Sequence, residues 1–174
     1  MKGKFASLGI AVMLAVMAAN VSARTTQTGA SKTDAGAAAS KRTLDRGRYM
    51  LTVGSCNDCH TAGFGPRDGN VPEVEWLLGS GPLGFNGPWG TTYAPNLRLL
   101  LANMNENRWV TYAKALKTRP PMPWFNLNKW SDSDLRAFYR YVKSLGAAGE
   151  SAQAYLPPAQ APTPPYIQWP APPK

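Results

Sequence analysis

Cys56-Asn57-Asp58-Cys59-His60 decides how this chain is read, because its only two cysteines and its only histidine stand inside these five residues. The pattern C-x-x-C-H is that of covalent haem c attachment. Two thioether bonds have to reach two vinyl groups along one porphyrin edge, and the next residue has to turn its imidazole under the iron. Two other readings are weaker. A C-x-x-C redox disulfide belongs with an alternation of strands and helices, which this Gly- and Pro-rich sequence does not show. A structural zinc ion needs four ligands, and the cluster supplies three. The expected cofactor is one covalent haem c, attached at Cys56 and Cys59, with His60 as the proximal ligand.

With one histidine, bis-histidine ligation within the chain is impossible, so the distal position takes a methionine, a weaker donor or nothing. Met1, Met13 and Met17 lie at the N-terminus, and Met50 precedes the attachment motif, which leaves Met104 and Met122. Met122 stands in Arg119-Pro120-Pro121-Met122-Pro123-Trp124, where prolines stiffen the backbone and remove competing amide donors. Met104 stands beside Asn105 at a helix start and suits packing. Met122 is the favoured ligand, with Met104 the alternative.

Outward from the motif, helical spacing recurs on both sides. Leu44, Gly47, Tyr49, Met50, Leu51 and Val53 fit a helix leading into Cys56, with Gly47 open to close approach. Asn105 caps a second helix, Glu106 to Lys117. A third begins with the cap signal Ser131-x-x-Asp134, runs through Leu135, Phe138, Tyr139, Val142 and Leu145, and stops at Gly146. The segment between, Thr61 to Leu97, is rich in Gly and Pro and reads as loop. An all-α domain is expected over residues 43–146, its long loops wrapped around the cofactor. Trp76, Trp89, Tyr93 and Asn96 are the candidates for ring packing and for hydrogen bonds to propionates.

The ends read differently. A basic start at Lys2 and Lys4, an apolar run from Leu8 to Ala19 and small residues at Val21-Ser22-Ala23 predict a secretory signal over residues 1–23 and a periplasmic location. Residues 24–42 read as a flexible leader. Residues 147–174 form a Pro-rich tail, extended in the polyproline manner. Tyr155, Tyr166, Ile167 and Trp169 leave two outcomes for it: docking along the domain or a partner, or disorder. The chain carries a net charge of +9, which favours redox partners with an acidic docking face. Nucleic acid is set aside, because the basic residues are scattered and not interleaved with aromatics. Membrane contact is expected only through a membrane-bound partner.

Taken together, the attachment motif, the loop Gly87-Pro88-Trp89-Gly90-Thr91-Thr92-Tyr93-Ala94-Pro95-Asn96-Leu97, and Met122-Pro123-Trp124 ahead of Ser131-Asp132-Ser133-Asp134-Leu135 resemble the class I c-type cytochrome family. The narrower likeness, over Leu44 to Gly146, is to bacterial periplasmic monohaem cytochromes associated with dehydrogenases or respiratory chains. That resemblance implies a cytochrome c-like small helical domain in which Cys56 and Cys59 hold the haem, His60 and Met122 ligate iron, and the terminal helices cross at Gly47. It also implies a proline carbonyl orienting the proximal histidine, for which Pro66 is the candidate. The chain departs from the family in its long Thr61 to Thr91 loop.

Iron held by His and Met suits outer-sphere electron transfer, and a Met ligand raises the potential relative to two imidazoles. The expectation is a non-enzymatic carrier that passes electrons from a dehydrogenase or respiratory donor to an acceptor. A haem enzyme, such as a peroxidase or reductase, needs an open distal position with an acid/base group over it. A haem-based gas sensor needs a distal ligand that leaves readily.

Overall fold

The computed structural model describes residues 27–171, so the expected signal segment lies outside the described residues. The chain divides into two units, Met1–Ala39 and Ser40–Lys174. Of the first, only part of one helix is described; the second holds all the remaining elements.

Helix α1, Gln27–Val53, runs back through most of the segment expected as a flexible leader. Its residues 27–42 are largely Ala, Ser, Thr and Lys, and the alanines and lysines among them are good helix formers. After a turn at Ser55, whose φ of 53° lies in the left-handed region, come α2, Cys56–His60, and two short 3-10 turns at Gly65–Arg67 and Glu73–Glu75. Strand β1, Gly84–Gly87, and β2, Gly90–Thr92, precede α3, Leu97–Ala102, α4, Glu106–Ala115, α5, Trp124–Leu127, α6, Asp132–Leu145, and finally β3, Tyr166–Gln168.

The helix boundaries follow their capping chemistry. Asn96, Asn105 and Ser131 each accept a hydrogen bond from the amide three residues on, at Leu99, Arg108 and Asp134. These bonds satisfy donors that a helix start leaves unpaired. Helix α6 buries Leu135, Phe138, Tyr141 and Val142 on one face and packs against α3 and α4. Trp109 of α4 stacks on Phe138 with ring centroids 5.4 Å apart, and its indole donates to the Leu135 carbonyl at 2.9 Å. A Cβ built on Gly47 would collide with the Ala137 carbonyl oxygen. Helices α1 and α6 therefore cross at that glycine, backbone against backbone.

The all-α expectation is overturned, and the chain is α/β. The described residues build a three-stranded mixed sheet in the order β2-β1-β3. Strands β1 and β2 form an antiparallel hairpin that pairs Phe85 with Thr92 and Gly87 with Gly90. β3 joins β1 in parallel, Phe85 opposite Ile167. The hairpin escapes sequence reading because Gly84-Phe85-Asn86-Gly87-Pro88-Trp89-Gly90 has no period-two alternation. Its parallel partner is three residues flanked by prolines, far along the chain, at an edge where a missing amide costs little.

Candidate cofactor site

A cavity of about 570 Å³ opens beside α2, within the roughly 300–1,000 Å³ span of cofactor sites. Cys56, Cys59 and His60 form part of its wall, with Tyr93 and Pro95 after β2, Met122 before α5, and the apolar faces of Leu97, Trp109, Leu127, Trp130 and Phe138. The core cluster and the cavity thus share side chains: Phe138 and Trp109 pack the helices and line the cavity at once.

Position is set from the backbone. The left-handed turn at Ser55 separates α1 from α2, so the five-residue motif is aimed by a break in the helix and not by its continuation. Thr61 then locks the far end of α2. Its hydroxyl donates to Asn57 Oδ1 at 2.7 Å and accepts from the Leu77 amide at 2.8 Å, and the Gly79 amide donates to the His60 carbonyl at 2.8 Å.

His60 is buried, and its Nδ1 lies 2.8 Å from the Pro95 carbonyl oxygen. A carbonyl only accepts, so Nδ1 carries the proton and Nε2 keeps a free lone pair, the tautomer that binds a metal through Nε2. Burial holds the imidazolium below its ordinary range, against an opposing push from the Pro95 bond. The neutral ligand form is therefore favoured. Both cysteines are free thiols. Burial, with smaller contributions from Asp58 and Cys59, pushes the Cys56 thiol up to about 12, and burial with Asp58 raises Cys59. Two protonated thiols and one free imidazole nitrogen on the wall of one apolar cavity are a donor set that fits haem c. Among the described residues no three His, Cys, Asp or Glu side chains gather to hold a metal ion, so the wall offers no closed zinc site.

Several expected residues lie elsewhere. Pro66 is exposed in its 3-10 turn, and the carbonyl on His60 belongs to Pro95. Asn96 is not on the cavity wall. Its Oδ1 caps α3 and its Nδ2 donates to the Ala148 carbonyl at 2.8 Å and the Glu150 carbonyl at 3.2 Å, which fixes the neighbouring Pro95. Trp89 also stands off the wall. Its ring packs against Trp169 at 6.2 Å, and its indole nitrogen is buried without a hydrogen-bond partner. The Trp76 indole is committed to the Val71 carbonyl at 2.8 Å. Tyr93 does line the cavity, and so does Met122; Met104 does not.

Sequence reading missed Pro95, Arg119, Gln153 and Tyr155 on the wall. Pro95 carried a signal, an X-Pro ahead of an Asn cap, which holds the proline carbonyl at a helix start. Tyr155 carried a partial signal, as one of the aromatics that could dock the tail along the domain; Arg119 and Gln153 carried none. Among the described residues no helix is long and apolar enough to cross a membrane. Comparison of this chain with known protein families, with curated proteins and with solved structures found no match to any of them.

Proposed function

We propose that this chain is a c-type cytochrome: an electron carrier with one haem c, bonded to Cys56 and Cys59 and ligated by His60 and Met122. The observation that carries this reading is the convergence on one apolar cavity of both thiols, a thioether and an imidazole whose Nε2 is freed by the Nδ1 bond to Pro95.

Cys56 and Cys59 would hold the group through two thioether bonds, each thiol supplying its sulfur to one vinyl carbon and its hydrogen to the other, so that no atom would be lost. When bound, the haem supplies an iron that cycles between Fe(III) and Fe(II). His60, held by Pro95, keeps its ring plane and tautomer fixed through that cycle. Met122 enters between Pro121 and Pro123, whose fixed φ angles limit its excursions. Phe138, Trp109 and Leu127 keep water from the centre, so little solvent has to reorganise as one electron arrives or leaves. The surface stays basic, in keeping with redox partners that present acidic faces, and the apolar start of the chain is in keeping with delivery to a periplasm.

The test is expression with haem-attachment machinery. Mass spectrometry of the exported product is expected to show one added haem, and the ferric spectrum a weak far-red band of methionine ligation. Met122→Ala is expected to lose that band while keeping the covalent haem. A polypeptide with two free thiols after such expression ends the proposal.

A further inference from the structure

The C-terminal segment is folded back onto the cavity. Leu156 and Thr91 exchange backbone hydrogen bonds of 2.8 and 3.0 Å, and the Tyr155 hydroxyl donates to the Trp89 carbonyl at 2.8 Å. β3 zips onto β1, and Trp169 packs on Phe85 and Trp89 with centroids 6.0 and 6.2 Å apart. The strap passes over Gly90, where a Cβ would strike the Leu156 carbonyl oxygen. Along this path Gln153 and Tyr155 become part of the cavity wall.

Tyr155 does one more thing. The Arg119 guanidinium carbon lies 3.6 Å over its ring. Face-to-face contact leaves the N–H donors in the guanidinium plane, directed outward from the stack and free to grip a carboxylate in two-pronged fashion. No carboxylate of the described residues is within ion-pair reach of Arg119. Among the residues on the cavity wall it is the one with a permanent positive charge.

We propose that the C-terminal strap is a positioning arm: Tyr155 seats Arg119 at the cavity wall as the receptor for a carboxylate of the cofactor. The proposal rests on the haem reading above, under which that carboxylate is a propionate. Arg119 stays exposed at the rim of that cavity, where solvent screens the pair and its worth lies more in orientation than in stability.

The test uses the full chain, expressed with haem-attachment machinery, as wild type, Arg119→Gln, Arg119→Lys and Tyr155→Leu. Mass spectrometry reports covalent haem first. If no protein carries it, wild type included, the cofactor reading fails and takes this proposal with it. With haem present in all four, midpoint potentials are measured against pH. Arg119→Gln is expected to lower the potential, because a nearby cation favours the added electron. It is also expected to shift the pH-dependent fall in potential to higher pH, because the carboxylate loses the partner that kept it ionised. Arg119→Lys should restore most of the wild-type value, and Tyr155→Leu should move it in the same direction as Arg119→Gln. An Arg119→Gln profile that superimposes on wild type overturns the carboxylate receptor. A Tyr155→Leu profile identical to wild type, beside a shifted Arg119→Gln, overturns the role of the strap.

Discussion

Gly47 shows how much one hydrogen in place of a methyl group can decide. Its α-carbon faces the Ala137 carbonyl and the Tyr141 Cβ so closely that any side chain must push α1 and α6 apart. Gly47→Ala is expected to destabilise the protein by roughly 1–3 kcal/mol, the usual cost of overpacking, read as a lower urea midpoint with an unchanged slope. Arg98 is the polar counterpart. It is buried at 5 % exposure and donates to the carbonyls of Val74, Leu145 and Gly146, so it closes the C-terminal end of α6 on α3 and on the loop before it. Burial holds its ionisation below the ordinary arginine range. Arg98→Met keeps the stem but removes a buried guanidinium with its bonds to three carbonyls, and a loss of about 1–3 kcal/mol is expected, measurable by the same denaturation. At this scale the sequence was readable where chemistry is local. Two cysteines and a histidine in five residues need no fold to be recognised, whereas the carbonyl on His60 comes from 35 residues away and left Pro66 looking plausible.

Helices were the readable elements, because their start signals act over three residues. Ser131 and Asn105 could be picked out before any packing was known, whereas Asn96, expected at the cofactor, works as a cap. How the helices are tied together was not readable. Glu106 at the start of α4 bonds Arg136 at 3.0 Å and Arg140 at 2.7 Å on α6, and those arginines, Arg140 first, hold its carboxyl below the usual carboxylate range. A carboxyl lowered by folding stabilises the protein fully above its unfolded value, and that contribution disappears as pH falls through the lower, folded value. Stability measured down an acid series should therefore fall on that limb in wild type. In Glu106→Gln the limb is expected to be flatter, starting from a lower plateau at neutral pH. Equal slopes in the two proteins would show that the pair does not couple the helices.

At the scale of the whole molecule the strap matters most. Gly90→Ala places a methyl group where the Leu156 carbonyl sits, at a residue whose φ of 92° already favours glycine. It is expected to lift the strap from β2. Limited proteolysis should then cut residues 150–163 much faster than in wild type, while the α4 and α6 core keeps its helical circular dichroism. By itself the sequence determined the Cys-x-x-Cys-His motif, the short list of two methionines, and the two helices capped by Asn105 and Ser131, because each depends on residues within a few positions of one another. Only the tertiary structure decided that the chain is α/β, that Pro95 orients His60, and that Tyr155 and Arg119 meet at the cavity wall. Those contacts join segments from 35 to about 80 residues apart, and loop closure on that scale is set by packing and backbone pairing across the fold, which no local pattern of side chains encodes.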